Sequence, residues 1–249
     1  MRRQAGWSVY WLEKVNACKG KQIIKKEKIK KMTEGKGFEE ILKCWKHEKV
    51  INDEKVIEAF RHVKRELFVL PHLKEEAYVD VPLPIGYGQT ISQPTTIAIM
   101  TQGLELKNGL KVLEVGTGSG YQAAIIGFII GKRGKVFTTE IIHELVDFAK
   151  QNLKKAAAKN VEVIESDGSM GYVNEAPYDR IIVTAACPEI PQVLAKQLKK
   201  NGIMVLPVGT LEGQKMLKVK KLDEEGKLFD VKNLGDFVFV PLRGKAGFR

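Results

Sequence analysis

The stretch from Lys111 to Gly120 reads Lys-Val-Leu-Glu-Val-Gly-Thr-Gly-Ser-Gly, an apolar strand that runs directly into a glycine-rich turn. An apolar helix follows the turn. Glycines let a backbone turn sharply and approach a ligand closely, and the N–H groups of the following helix then point at that ligand. Most glycine clusters are ordinary loops, but the strand–turn–helix context predicts a cofactor site here.

The spacing of the glycine turn distinguishes between cofactors. Dinucleotide-binding folds prefer Gly-x-Gly-x-x-Gly, whereas this chain has Glu114-x-Gly116-x-Gly118-x-Gly120. An acidic side chain just before the turn would repel a pyrophosphate, but it suits a cofactor that bears an ammonium group. We therefore predict S-adenosyl-L-methionine as the cofactor and S-adenosyl-L-homocysteine as its product. The predicted contacts in this stretch are Glu114, Gly116, Thr117, Gly118, Ser119 and Gly120.

Two acidic positions downstream complete the predicted cofactor site. Glu140 ends the next strand, 24 residues after Gly116, where a carboxylate can accept hydrogen bonds from both ribose hydroxyls. Asp167 and Gly168 follow the third strand, where the Asp side chain can accept a hydrogen bond from the adenine amino group. Each position has an ordinary alternative, because Glu140 could be a solvated charge at a strand end and Asp-Gly is a common turn.

Outward from the turn, strand and helix patterns alternate, which is typical of a parallel sheet. We predict an α/β fold: a doubly wound, mostly parallel sheet of the S-adenosylmethionine-dependent methyltransferase (Rossmann-like) type, with an N-terminal helical segment and a C-terminal antiparallel edge. The predicted strands are 111–115, 135–140, 161–165, 179–185 and 203–208, with an edge hairpin from 216–222 and 237–240. The predicted helices are 94–106, 119–130, 142–156 and 189–200, preceded by two that begin near Phe38 and at Asn52 or Asp53.

The net charge of +11 is concentrated at the N-terminus. Residues 1–36 hold 11 Lys and Arg against 3 Asp and Glu, whereas the whole chain holds 41 against 30. We predict a mobile basic extension over residues 1–36 and a single methyltransferase domain over residues 37–249. Because a basic tail can bind anionic polymers, nucleic-acid binding through the extension stays open. Met32 as the biological start is a further alternative.

Composition also disfavours several classes of protein. The apolar runs are shorter than the roughly 20 residues of a membrane span, and the N-terminus lacks the apolar core and cleavage site of a signal peptide. Cys18, Cys44 and Cys187 are odd in number, far apart and without metal-ligand spacing, which favours a reducing compartment and no bound metal. We expect a cytoplasmic monomer with no membrane partner.

The groups that commonly activate a methyl acceptor are missing from the expected site loops. Cys187-Pro188 reverses the Pro-Cys order of cytosine C5 enzymes, and residues 184–188 lack the Asn/Asp-Pro-Pro-aromatic box of amino-methylating enzymes. None of the four histidines lies in such a loop. A carboxylate, with a pKa of about 4, is already ionised at neutral pH and needs no base. These observations favour an oxygen acceptor that is already charged.

One family matches this combination. Pro82-Leu-Pro-Ile-Gly-Tyr-Gly-Gln-Thr-Ile-Ser-Gln-Pro94 resembles the signature loop of protein-L-isoaspartate (D-aspartate) O-methyltransferases. The glycine turn, Tyr178–Ala186 and Gly202–Gly209 are similar to the same family in the same order, so the resemblance covers roughly residues 38–245. The chain departs from the family at Cys187, where proline or a small residue is frequent, and in its N-terminal extension.

The resemblance implies methyl transfer to the α-carboxylate of L-isoaspartyl residues, with D-aspartyl residues left open, in damaged proteins and peptides. Ser92 matches the family's active-site serine, although spacing alone favours a helix cap, because a serine before an early-turn proline is a common helix start. Thr90 and Ile91 would shape the cleft between cofactor and peptide, with Ile91 also contacting the cofactor. Val208 would offer backbone groups to the peptide. Asp80 could orient this loop or be an ordinary exposed carboxylate.

Two other functions share the fold. An RNA (tRNA) methyltransferase could use the basic tail to bind its substrate. A non-enzymatic cofactor-binding protein should show decay in the glycine turn or around Ser92, but both stretches are intact.

Overall fold

The computed structural model describes residues 37–248, so the predictions for the basic extension and for Met32 lie outside the described residues. In chain order the elements are α1 Phe38–His47, α2 Glu54–His62, β1 Leu83–Gly86, β2 Gln89–Ile91, α3 Pro94–Gly103, β3 Lys111–Val115, α4 Tyr121–Ile130, β4 Lys135–Glu140, α5 His143–Lys155, β5 Val161–Glu165, β6 Tyr178–Val183, α6 Gln192–Gln197, β7 Leu198–Gly209, β8 Gln214–Lys221 and β9 Phe229–Phe237. Short 3-10 turns lie at Arg65–Leu67, Pro71–Glu76, Gly168–Met170 and Val173–Glu175.

The main sheet has seven strands in the order β5-β4-β3-β6-β7-β8-β9. Strands β3 to β7 pair in parallel, and β8 and β9 are antiparallel. This arrangement confirms the predicted mostly parallel sheet with an antiparallel edge. Because parallel strands all end at the same edge of a sheet, the carboxyl ends of β3, β4 and β6 come together at one rim, where α/β folds bind their ligands.

The N-terminal helices pack on α4 through aromatic side chains. The α2 helix begins as predicted, with Asp53 as its cap accepting a 2.9 Å hydrogen bond from the N–H of Lys55. The ring of Trp45 contacts Phe60 edge to face at a centroid distance of 5.1 Å, and Phe60 contacts Tyr121 at 5.9 Å. Since Tyr121 is the first residue of α4, this helical layer is anchored directly next to the glycine turn.

Residues 83–91 form a two-stranded antiparallel hairpin where the sequence indicated an irregular loop. Leu83 pairs with Ile91 and Pro84 with Thr90, and Tyr87 at the tip has a φ of +53°. The strands are too short for a recognisable alternation of apolar and polar residues, so the pairing depends on the tip glycines, which adopt positive φ at no steric cost.

Two predictions in the C-terminal half were wrong. The helix predicted over 189–200 is only Gln192–Gln197, because Leu198 already pairs with Tyr178 in the sheet. The strand predicted at 237–240 is instead β9, which ends at Phe237. Strand β9 is an exposed edge strand with several charged residues, so no apolar pattern marks it, and only its pairing with β8 defines it.

The strand predicted over 203–208 begins five residues earlier, as β7 Leu198–Gly209, and the other boundaries agree with the predictions within a few residues. Helix α4 begins at Tyr121 and not at 119, because Ser119 and Gly120 belong to the turn. No helix in the described part of the chain is long and apolar enough to cross a membrane.

Candidate active site

The glycine turn at the carboxyl end of β3 has a rigid path. Gly116 has a φ of +95° and Gly118 a φ of +53°, a region that residues with a side chain rarely adopt. A Cβ on Gly116 would lie 2.4 Å from the Thr184 hydroxyl oxygen, which itself donates a 2.7 Å hydrogen bond to Gly116 O. The N–H groups of Gly116 and Thr117 both donate to Thr139 O on β4. The turn is therefore held from both neighbouring strands.

Glu114 lines a cleft beside this turn and is completely buried. The Thr138 hydroxyl donates a 2.6 Å hydrogen bond to its Oε2, whereas its Oε1 has no hydrogen-bond partner among residues 37–248. Burial, with a smaller contribution from the charge of Glu140, raises the pKa of Glu114 to about 8 although Thr138 acts in the opposite direction. A buried oxygen without a partner costs stability, so this position fits a ligand that brings a cationic donor such as an ammonium group.

Glu140 is held at the end of β4 by three backbone N–H groups. Gly118 donates to its Oε2 at 2.9 Å, and Ile141 and Ile142 donate to its Oε1 at 2.9 and 3.0 Å. With a relative exposure of 7%, Glu140 is not the solvated strand-end charge of the alternative explanation. A carboxylate offers about four acceptor sites, and three are occupied by these N–H groups, so about one is left for a ribose hydroxyl. The sequence had predicted hydrogen bonds from both ribose hydroxyls.

Asp167 fastens the end of the chain to the sheet. Its carboxylate accepts hydrogen bonds from the N–H and the hydroxyl of Ser169, at 3.0 and 2.6 Å, and from the N–H of Lys245 at 2.9 Å. Burial of Asp167 opposes its ionisation, but these hydrogen bonds hold its pKa below the usual range. Gly168 lines the cleft and Asp167 does not. The adenine contact of Asp167 therefore stays a prediction, with most of its acceptor sites already occupied.

The acceptor loop, which we define as residues 89–93, forms another wall of the same cleft through Thr90, Ile91 and Ser92. Helix α3 starts at Pro94, and its N-cap residue is Gln93, which makes no side-chain capping bond to the described residues. Ser92 is thus not the cap, and the capping alternative for Ser92 is wrong. The position of Ser92 agrees with the role that the resemblance implies.

Asp80 orients this loop from the side. It accepts hydrogen bonds from the N–H of Thr95 at 2.9 Å, from the Thr95 hydroxyl at 2.7 Å and from the side-chain amide of Gln93 at 2.9 Å. The indole of Trp45 donates to the same Thr95 hydroxyl at 2.7 Å. One of the two explanations offered for Asp80 is therefore confirmed, because its carboxylate replaces the missing helix cap beside Ser92.

A buried arginine supports the arrangement. Arg65 donates from Nε to Ala77 O at 2.6 Å, and its guanidinium lies 5.2 Å from the centre of the Tyr121 ring. Burial lowers the pKa of Arg65 to about 10, although the negative charge of Asp80 favours the protonated form.

The structure brings most of the predicted site residues to one cleft. These are Thr90, Ile91, Ser92, Glu114, Gly116, Thr117, Gly118, Ser119, Glu140 and Gly168. Gly120 does not line it: a Cβ on Gly120 would lie 3.1 Å from Leu153 of α5, so this glycine allows close helix packing.

The backbone contact predicted between Val208 and the peptide stays a prediction, because the cleft is lined by other residues. Pro207 O accepts a hydrogen bond from the N–H of Cys187, and the N–H of Gly209 donates to Cys187 O. The backbone groups on either side of Val208 are thus already paired inside the fold, and Val208 itself does not line the cleft. An isolated strand pattern could not reveal this parallel bridge between distant segments.

Several cleft residues were not predicted. Thr184 and Ala185 line the cleft and directly follow β6. Ligands of α/β folds bind at the carboxyl ends of the strands, so these two positions could have been predicted from the sequence. The C-terminal tail, which we define as residues 240–248, contributes Val240 to Arg243 and carried no motif.

Comparison with known proteins identifies the family. A family model described as protein-L-isoaspartate(D-aspartate) O-methyltransferase matches residues 36–247. The chain belongs to the protein-L-isoaspartate(D-aspartate) O-methyltransferase family. The protein-L-isoaspartate O-methyltransferase of Methanosarcina mazei is 52% identical over 197 residues, which are 79% of this chain and 80% of the relative. Protein-L-isoaspartate O-methyltransferase 2 of Archaeoglobus fulgidus is 55% identical over 195 residues, 78% of this chain and 88% of the relative.

Two solved structures share the fold over most of the family domain. A Plasmodium falciparum chain described as a protein-L-isoaspartate O-methyltransferase, in complex with S-adenosyl-L-homocysteine, gives a TM-score of 0.70 at 27% identity and covers 81% of this chain and 96% of that one. A second structure, described as a protein-L-isoaspartate O-methyltransferase, gives a TM-score of 0.73 at 28% identity. The match covers 88% of this chain and 67% of that one.

The chemistry available in this isoaspartate-methyltransferase family member is restricted. Burial raises the pKa of the Cys187 thiol to about 12, so it is not a thiolate nucleophile. None of the four histidines, all of which fall within the described residues, lines the cleft. Residues 37–248 also contain no group of ligands that could hold a metal ion. The cleft can therefore align an acceptor, but its described residues include no histidine, thiolate or metal-binding group that would activate one.

Proposed function

We propose that this chain transfers the methyl group of S-adenosyl-L-methionine to the α-carboxylate of L-isoaspartyl residues in damaged proteins and peptides. The observation that supports this proposal best is that the Ser92 loop and the glycine turn, the two stretches most typical of the family, line one cleft. Membership in the family and the names of the relatives point to the same reaction.

The residues around the glycine turn would hold the donor. Bound S-adenosyl-L-methionine supplies an electrophilic methyl group on a sulfonium, which leaves by in-line displacement. The unpartnered Oε1 of Glu114 would accept from the ammonium group, and Glu140 would accept from a ribose hydroxyl. Gly116 and Gly118 keep the backbone close to the ligand because neither carries a side chain.

The acceptor needs alignment more than activation. A carboxylate is ionised at neutral pH, so an oxygen lone pair is available without removal of a proton. The hydroxyl of Ser92 would donate a hydrogen bond to the carboxylate oxygen that does not receive the methyl group. Thr90 and Ile91 would restrict the direction from which the acceptor carboxylate approaches the methyl group. Holding two reactants in line removes much of the entropic cost of the reaction, which is where we expect most of the rate gain.

The product leads to repair by its own chemistry. The new methyl ester is attacked by the neighbouring backbone nitrogen, methanol leaves, and the succinimide that forms is hydrolysed partly to normal aspartate. Because damage sites differ in sequence, the cleft should read the backbone and the carboxylate. The cytoplasmic location, the monomeric state and the single-domain organisation stay predictions, as does activity on D-aspartyl residues.

The test uses methyl-labelled S-adenosyl-L-methionine, the purified full chain and two peptides that differ only in an isoaspartyl or a normal aspartyl residue. We expect label in the isoaspartyl peptide, released as methanol on mild alkaline treatment. Equal labelling of both peptides, or of neither, would refute the repair function. Label in RNA in place of peptide would favour the RNA methyltransferase alternative.

A further inference from the structure

The charge of the cleft raises a difficulty for a carboxylate acceptor. Its acidic side chains are Glu114 and Glu140, and the only Lys or Arg side chain that lines it within residues 37–248 is Arg243. A negative charge on a carboxylate of the cleft repels the carboxylate of an approaching acceptor, and the repulsion is strong where water is excluded. A cation in the wall of the cleft would offset it.

The backbone before Arg243 is fixed to the end of β6. The N–H of Leu242 donates to Ala186 O at 2.8 Å, and the N–H of Ala186 donates to Val240 O at 2.8 Å. These two bonds make a short parallel bridge that continues the sheet at the rim of the cleft. The position of the backbone just before Arg243 is therefore defined by the sheet.

The backbone after Arg243 is fixed to the end of β5. The N–H of Lys245 donates to Asp167, and a Cβ on Gly244 would lie only 2.0 Å from an oxygen of the same carboxylate. The tail thus approaches Asp167 so closely that glycine is required at 244. The backbone of Arg243 is therefore held on both sides before any ligand arrives, so binding has to order only its side chain.

The side chain of Arg243 is committed to no other group in the described part of the chain. It is exposed, and it takes part in no hydrogen bond or salt bridge with residues 37–248. A guanidinium is always charged, and its planar fork matches the two oxygens of a carboxylate. Surface arginines are common, but this one lies in the wall of the cleft that also contains Ser92.

We propose that Arg243 recognises the α-carboxylate of the acceptor, attracting it into the cleft while Ser92 aligns it. The inference rests on the proposed function, since it requires a carboxylate acceptor. The cofactor also carries a carboxylate, so the experiment has to separate contact with the peptide from contact with the donor.

The first measurement compares the full-length wild type with Arg243→Gln and Arg243→Lys. For Arg243→Gln we expect the KM for an isoaspartyl peptide to rise roughly tenfold or more, as for the loss of a charge-assisted hydrogen bond. The Kd for S-adenosyl-L-homocysteine should change less than about twofold, which also shows that the variant is folded. Arg243→Lys should recover part of the loss, because it keeps the charge without the fork.

Arg133→Gln is the matched control. Arg133 is exposed, donates a 3.1 Å hydrogen bond to Asn108 and precedes β4, so it lies at the amino end of the strands, opposite the cleft. The Arg133→Gln variant loses the same charge at a position away from the cleft. Its KM for the isoaspartyl peptide should stay near the wild-type value.

The second measurement uses a competing peptide whose isoaspartyl α-carboxylate is replaced by a carboxamide. The wild type should bind the carboxylate peptide in preference to the carboxamide, and Arg243→Gln should lose most of that preference. An unchanged preference would overturn the inference. Weaker binding of S-adenosyl-L-homocysteine with an unchanged peptide KM would overturn it too, by assigning Arg243 to the cofactor. A wild type that labels no isoaspartyl peptide would instead remove the proposed function, and the inference with it.

Discussion

Replacement of Glu114 by Gln should abolish a proton release that accompanies cofactor binding. With a pKa of about 8, Glu114 is about 97% protonated at pH 6.5 in the chain without ligand. An ammonium group at its unpartnered Oε1 favours the carboxylate, so binding should expel the proton. The α-amino group of the ligand, with a pKa of about 8, is protonated at pH 6.5 both free and bound, and it adds no proton of its own.

The size of the effect follows from the same pKa. Ionising Glu114 at pH 6.5, about 1.5 pH units below its pKa, costs about 2 kcal/mol. The ligand contact has to supply this free energy, which corresponds to roughly thirtyfold weaker binding than to a carboxylate that is already ionised. The expected release is close to one proton per ligand.

Calorimetric titration with S-adenosyl-L-homocysteine at pH 6.5, in two buffers with different enthalpies of ionisation, counts the protons. The wild type should release about one, and Glu114→Gln close to none while binding more weakly. Glu165→Gln, at the exposed end of β5 and paired with His143, is the control that should keep the release. Equal heats in the two buffers for the wild type, or an unchanged release in Glu114→Gln, would refute the assignment of the ammonium group to Glu114.

Substitutions of Ser92 and Asp80 and the pH dependence of stability test the site further. Ser92→Ala should lower kcat roughly ten- to a hundredfold and leave the Kd for S-adenosyl-L-homocysteine unchanged, and unchanged turnover in the labelled peptide assay would contradict its role. Asp80→Asn places an amide where the N–H and hydroxyl of Thr95 need an acceptor, so kcat/KM should fall about tenfold and thermal denaturation should show a loss of roughly 1–3 kcal/mol. The free energy of unfolding should decrease by up to about 5 kcal/mol as the pH rises from about 4.5 through about 8, because folding raises the pKa of Glu114 and the folded chain must then bury its charge. Denaturant titrations measure the free energy of unfolding at pH 6 and at pH 9. Its decrease between these two pH values should be smaller for Glu114→Gln than for the wild type.

The glycine turn and the parallel strands were predictable because their signals are local. Positive φ at Gly116 and Gly118 is a property of single residues, and an apolar strand such as β3 is recognisable from a few neighbours. Strand β9 and the hairpin at residues 83–91 escaped prediction for the converse reason. Their pairing partners define them, and their own side chains carry no clear period.

Roles that depend on packing were less accessible. Ser92 looked like a helix cap from spacing, but Asp80, fifteen residues before Thr95, takes over that function in the fold. For Val208, the strand pattern alone could not show that Cys187 pairs with the backbone groups of Pro207 and Gly209 on either side of it.

The sequence by itself determined the alternation of strands and helices from β3 to β7, the glycine spacing that indicates the donor, and the loop whose resemblance to the family indicates a carboxylate acceptor. Backbone conformation and side-chain period are local quantities, so a linear chain expresses them directly. Only the tertiary structure decided that Glu114 is buried with an unsatisfied oxygen, that Asp80 supports the acceptor loop, and that the tail brings Arg243 into the cleft. Burial and contact between distant segments arise from packing, and packing sets the charge state and the position of each group.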